Sequence, residues 1–294
     1  DKYYVTPMQY FYEYSSQAEQ VANRARQNAA LYEEQGAVYR QRESGAVYHL
    51  YAGRSIPAFA YQEMCNYYLN YDFSIVLTLM LCLYGIIGTF VSERETQMDM
   101  LLLVSPNGGR KTALAKIIAA TLFLLLTSLW FSLLDLIGFA ASFQTLEGLA
   151  LPVFAIPNFA EVSVNLSIFQ YVLLSAALKC AGTWVIGMLW LLVSMFWKNA
   201  LLPFVINFAL CMALIVSGAA CAYSNFFWTK ALNPYSLLTN RVLLGKTEFV
   251  NLGGFPVLTW QAAVWISLTA GFVLVTAIYF LSAENCHRCV GRAK

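Results

Sequence analysis

The sequence predicts an all-α polytopic membrane protein, with five visible transmembrane helices and a mostly helical extracytoplasmic segment. Of its 294 residues, 59% are hydrophobic and 12% are charged, and the mean hydropathy is +0.58. A soluble domain carries about 25% charged residues, so this composition excludes a soluble enzyme, a disordered protein and a nucleic-acid-binding module. The charge is also uneven, because residues 1–72 hold 14 of the 34 charged residues and 13 of the 18 tyrosines. We therefore predict a polar extracytoplasmic segment at 1–72 and a membrane domain at 73–294.

Five stretches are long and apolar enough to cross a bilayer core, which needs about 20 residues of helix. They lie at about 73–92, 113–143, 167–197, 200–223 and 259–282. The third stretch passes into the fourth through Trp197-Lys198-Asn199 with almost no loop, which predicts a tight antiparallel hairpin.

The distribution of Lys and Arg predicts the orientation of these spans. The loop after the first span carries Arg94, Arg110, Lys111 and Lys116, and the chain ends in a basic tail, whereas the loop at 144–166 has no Lys or Arg. We expect the basic loops and the C-terminus in the cytoplasm of a bacterial cell and residues 1–72 outside its plasma membrane. An external segment of this size needs a way across, so we expect a sixth helix before Asp1.

Two regions outside the spans have their own patterns. Residues 15–44 are typical of a helix, with a capping-box spacing at Ser16 and Glu19 and a weak point at Gly36. This segment could form a collar for a substrate or partner, or simply a solvated hairpin. The loop at 224–258 has short apolar runs broken at Asn233-Pro234 and Gly253-Gly254, which predicts short helices that dip toward the membrane.

The loop at 93–116 is the most informative part of the chain. Acidic residues come first, an apolar patch around Leu102 follows, and basic residues come after a Pro-Asn-Gly-Gly break. Acids near the start of a helix and bases after its end suit the helix dipole. We therefore predict a short amphipathic helix at about 94–105 on the inner membrane surface, placed where a soluble partner could push it.

This loop resembles the coupling segment in permease subunits of ABC-2 type exporters. In that family an acidic pair follows the span, an apolar run and a Ser-Pro or Gly-Arg break come next, and a Lys enters the following span. The residues that match this pattern or accompany it are Glu93, Glu95, Asp99, Leu102, Ser105, Gly109, Arg110 and Lys116. The resemblance implies a permease that exports an amphipathic substrate, pairs with a second permease copy or a homologous permease, and docks two ATPase subunits, which would hold the ATP and Mg.

Two other motifs and a different class of function are also considered from the residues. Ser105 to Thr112 looks like a phosphate loop, but that motif needs Gly where this chain has Ser105 and Arg110. We therefore expect no ATP binding by this chain. The tail segment 286–289 offers at most three metal ligands where four are needed, so we expect no metal. A different class, a membrane sensor or assembly scaffold without transport activity, would use the external helix to bind a ligand or partner.

Asp135 and Lys179 are the ionisable residues inside the predicted spans. Such residues are costly in a bilayer and usually face protein or water. They could pair between neighbouring helices or form a polar wall of a substrate path, and Lys179 could instead extend toward the outer interface. An intramembrane enzyme would need a second catalytic group near Asp135, and the sequence offers none.

Overall fold

The computed structural model describes residues 5–58, 63–98, 110–222 and 227–292 of the chain. These residues form a mostly helical protein with one small antiparallel hairpin. The helices are α1 (Val5–Glu34), α2 (Val38–Tyr51), α3 (Glu63–Leu69), α4 (Phe73–Glu95), α5 (Arg110–Phe143), α6 (Ile168–Ser194), α7 (Leu201–Ala222), α8 (Phe227–Leu232), α9 (Tyr235–Thr239), α10 (Arg241–Leu244) and α11 (Thr259–Arg292), and the strands are β1 (Phe249–Leu252) and β2 (Phe255–Leu258).

Within the described residues, five helical segments are long and apolar enough to cross a membrane by length and composition. They coincide with the five predicted spans, so the prediction of five long apolar helices is confirmed. The predicted tight hairpin is also present, since α6 ends at Ser194 and α7 begins at Leu201.

The helix α6 lies at the centre of the bundle and packs against α4, α5, α9 and α11. Its fully buried side chains, Trp190 and Met188 among them, meet Leu79 and Leu83 of α4 in one apolar cluster. In contrast, only 17% of the most apolar window is buried in α7 and in α11. These two helices therefore present broad apolar faces outward.

The helices α1 and α2 form a hairpin that covers one end of the bundle. Gly36 makes the turn with φ of +68°, a conformation that favours glycine, and this confirms the predicted weak point. The predicted start at Ser16 is wrong, because α1 already begins at Val5. Tyr10 and Tyr14 pack on the segment around Phe154, and this packing extends the helix past the expected cap.

The region after α7 is broken as predicted at Asn233-Pro234, where α8 ends and α9 begins. Gly253-Gly254 does not separate two helices. It forms the turn between β1 and β2, with φ of +62° and +87°. The expectation of an all-α fold is corrected here, since four-residue strands are too short to leave a clear alternating pattern.

We call the end of the bundle that carries α1 and α2 the hairpin end, and the opposite end, at the junction of α4 and α5, the loop end. At the hairpin end, Arg42 donates to the carbonyl of Gly254, and Thr247 donates to the carbonyl of Glu161. The sequence predicts residues 1–72, 144–166 and 224–258 on one side of the membrane, and the described parts of these three segments meet at one end of the bundle.

Candidate functional site

Glu93 and Lys116 form a salt bridge at the loop end. Glu93 lies in the last turn of α4 and Lys116 in the second turn of α5, so the bond joins the two helices that flank the predicted coupling loop. The side chain of Lys116 is only 12% exposed, and its Nζ lies 4.2 Å from the ring centroid of Phe90. A pair that is partly withdrawn from water is screened less by salt than an exposed one.

The next two residues join α4 to the turn between α6 and α7. The Arg94 guanidinium donates to the carbonyl of Trp197 at 3.1 Å, and a Glu95 carboxylate oxygen accepts from the backbone N–H of Ala200 at 2.9 Å. The N–H groups at the start of a helix lack partners within the helix and favour negative charge. Glu95 therefore supplies a negatively charged acceptor at the start of α7. The end of α4 is thus bonded to α5 and to the start of α7.

Arg94 and Glu95 belong to α4 itself, followed by a turn at Thr96-Gln97 in which Gln97 has φ of +56°. The prediction that a separate amphipathic helix starts at residue 94 is therefore wrong at its first residues. Residues 99–105 of that predicted helix, with Asp99, Leu102 and Ser105, lie outside the described residues, as does the following Gly109. Arg110 begins α5, and its side chain lies outside the described part, as do those of residues 286–289.

A polar cluster occupies the bundle interior between α4, α5 and α6. Ser128, Ser132 and Asp135 lie on one face of α5, because their spacing of four and three residues matches the helical repeat. Ser74 of α4 donates to a carboxylate oxygen of Asp135 at 2.5 Å. From α6, Lys179 and Thr183 face the same space.

Asp135 and Lys179 are brought into this polar cluster but do not form a salt bridge. Each lies within electrostatic range of the other, yet the salt bridges found in the described residues join other groups, among them Arg241 and Asp72 at 2.6 Å. Direct pairing of Asp135 with Lys179 is therefore not what the structure shows.

Two small cavities, each about the size of one water molecule, adjoin Lys179. The inner cavity is lined by Ser74, Thr183 and neighbouring residues of α4, α5 and α6. The outer cavity is lined by Asp72 and Asn240 at the hairpin end. Lys179 and Leu238 line both cavities, so the two spaces adjoin the same two side chains.

Arg54 holds the hairpin end together, and sequence reasoning missed it. Its side chain is 5% exposed and donates to Asn165 Oδ1 at 2.8 Å, to the carbonyl of Val162 at 2.8 Å and to that of Leu50 at 3.0 Å. The guanidinium also lies over the ring of Tyr51, 4.2 Å from its centroid. Asn165 and Val162 are more than 100 residues away along the chain, so no local sequence pattern predicts these two bonds.

The tyrosines of α1 beside Arg54 are shifted by burial. Removal from water raises the pKa of the phenols of Tyr10 and Tyr14, and the nearby Arg54 offsets this rise only in part. The Tyr10 hydroxyl donates to the carbonyl of Phe154 at 2.7 Å. Both phenols therefore stay neutral and act as hydrogen-bond donors throughout the physiological range.

Comparisons with known proteins add nothing to this geometry, since no family model matches the chain and no curated protein is significantly similar to it.

Proposed function

We propose that this chain is the transmembrane permease subunit of an ABC-2 type transporter. It exports an amphipathic substrate (a lipid-like molecule, a peptide or a drug) with energy from ATP that a separate ATPase subunit hydrolyses. Its partners are two ATPase subunits, which hold ATP and Mg, and a second copy of this permease or a homologous one. It spans the plasma membrane with residues 1–72 outside and the C-terminus in the cytoplasm.

The bonding of the end of α4 carries this proposal. Glu93 is bound to α5, and Arg94 and Glu95 are bound to the turn that starts α7. A push on the loop between α4 and α5 therefore acts on several spans rather than on a free loop. Because α7 is little buried within the subunit, it can shift with a small loss of packing.

This arrangement supports a simple cycle. ATP binding draws the two ATPase subunits together, and their contact with the loop moves the ends of α4, α5 and α7. The two permease halves then pass from an inward-open state to a closed or outward-open state and expel the substrate. By the same family resemblance, α4, α7 and the broken region 224–258 line the path.

The test is purification of the intact chain from its native membranes with its bound partners. The wild type is expected to retain an ATPase subunit and vanadate-sensitive ATP hydrolysis. Glu95→Ala removes one hydrogen bond to a charged group, worth about 1.5–3 kcal/mol, and should lower ATP turnover about tenfold. The matched control is Glu147→Ala, which changes an exposed carboxylate at the hairpin end and should have no effect.

The alternative is a sensor or assembly scaffold that does not transport. The observation that favours it is the hairpin of α1 and α2, whose outer face is largely exposed and could bind a ligand or partner. If Glu93→Ala and Glu95→Ala leave ATPase co-purification and ATP turnover intact, the permease proposal loses its main support and this alternative becomes the better account.

A further inference from the structure

Lys179 is an ionisable group inside the bundle that forms no salt bridge with any residue in the described part of the chain. Asp72 is paired with Arg241 at 2.6 Å, and Asp135 accepts a hydrogen bond from Ser74. The Lys179 ammonium lies within electrostatic range of both carboxylates and forms a salt bridge with neither. A charge withdrawn from water without partners is strongly unfavourable. The N–H donors of Lys179 therefore require acceptors other than these carboxylates.

A second group in the same place is also without a partner. The Thr183 side chain is 1% exposed, and its Oγ1 has no hydrogen-bond partner among the described residues. It lines the inner cavity together with Lys179. Buried polar atoms are nearly always hydrogen-bonded, and an unpaired one indicates an ordered water or ion. An ammonium and a hydroxyl thus face one small space, and both can donate to the same acceptor.

The size of the space limits what can occupy it. Each cavity holds about one water molecule, and a bound water needs between two and four polar partners. The inner cavity supplies the Lys179 ammonium, the Thr183 hydroxyl and the serines of α4 and α5. The four charged groups of the region, Asp72, Asp135, Lys179 and Arg241, carry no net charge in total. A neutral acceptor therefore suits the site better than an anion.

The outer cavity offers a route to the medium. It is lined by Asp72, Asn240 and Lys179, and the adjoining Asp72–Arg241 pair is exposed by 28% and 42% at the hairpin end. We propose that Lys179 and Thr183 form an internal water-binding site beside Ser74, the hydrogen-bond donor of Asp135, and that the bound water exchanges with the medium beside the Asp72–Arg241 pair. This inference is independent of ATP-driven transport, since it concerns one chain and needs no ATPase.

Radiolytic hydroxyl-radical footprinting of the full-length chain in nanodiscs tests this site, because radicals form on bound water and oxidise adjacent side chains. Leu238 is 1% exposed and lines both cavities, whereas Leu191 is 0% exposed and lines neither. We expect oxidation of Leu238 and only background at Leu191. Equal background at both leucines would overturn the proposal without the use of any variant.

Two further measurements test the assignment of groups and the route. Thr183→Val should reduce oxidation at Leu238, whereas the matched control Thr269→Val, on an exposed face of α11, should not. Brief mixing with ¹⁸O-labelled water should place ¹⁸O on Leu238. Oxidation without ¹⁸O would refute the exchange route. If gluconate in place of chloride destabilises the wild type but not Lys179→Met, the occupant is chloride and the water assignment is wrong.

Discussion

Replacement of Arg54 by Met should loosen the hairpin end far more than any exposed substitution there. The guanidinium donates three hydrogen bonds of 3.0 Å or less to buried or part-buried acceptors, and two of them are bifurcated from its single Nε–H. Each bond to a charged donor contributes about 1.5–3 kcal/mol, and the cost of burying the charge offsets several kcal/mol of that total. We expect a net loss of about 3 kcal/mol, close to what removal of one partner from a buried pair costs.

Hydrogen–deuterium exchange of the segment 150–168 measures this loss directly. Its amides are protected by local bonds such as that from Ile168 to Leu151, at 2.8 Å, and a loss of about 3 kcal/mol should speed their exchange roughly 150-fold. Arg42→Met is the matched control, because exposed Arg42 donates a single bond to a carbonyl. If exchange in Arg54→Met stays within about threefold of the control, a difference under 1 kcal/mol, the reasoning about Arg54 is wrong.

Three other predictions follow. Gly182→Ala should lower the thermal midpoint, because a Cβ there would lie 2.4 Å from a leucine methyl and overpacking of this kind costs about 1–3 kcal/mol of stability. Gly138→Ala should raise the midpoint, since a Cβ there meets nothing within 4 Å. Burial raises the pKa of the Tyr10 phenol above its unfolded value of 10.0. The stability contributed by the neutral phenol is therefore present below about pH 10 and lost above it, and Tyr10→Phe should flatten the alkaline fall of the midpoint. The double variant Glu93→Lys/Lys116→Glu should recover stability that each single charge reversal loses, with a coupling energy of about 0.5–3 kcal/mol. A double variant no more stable than the less stable single variant would contradict their pairing.

The five apolar helices could be predicted closely from the sequence. An apolar run of about 20 residues is a strong signal because nearly every side chain within it agrees. The span predicted from residue 73 begins at Phe73, and the last, predicted from 259, begins at Thr259. The break at Asn233-Pro234 was equally clear, since proline restricts the residue before it and lacks an N–H.

Contacts between distant segments could not be predicted in this way. The start of α1 depends on tyrosines that pack against residues about 140 positions away. Arg54 bonds mainly to backbone carbonyls, which any sequence offers. In these cases tertiary packing decides the local structure, and local propensity describes it poorly.

The polar cluster around Asp135 and Lys179 could be predicted from the sequence only in part. From the sequence, Asp135 and Lys179 could pair between neighbouring helices, and the structure places both in one cluster. Whether they touch depends on Ser74, which occupies an oxygen of the Asp135 carboxylate, and on the cavities beside Lys179. Such competition for hydrogen bonds is a three-dimensional property that helical spacing does not contain.

The permease proposal requires the loop end to face the compartment that holds ATP. Exposed lysines at both ends test this requirement without mutation, since Lys198 lies in the turn between α6 and α7 and Lys246 lies at the hairpin end. An impermeant amine-reactive reagent applied to intact protoplasts should label Lys246 and spare Lys198 until the membrane is permeabilised. Labelling of Lys198 but not Lys246 on intact protoplasts would place the loop outside and contradict the proposal.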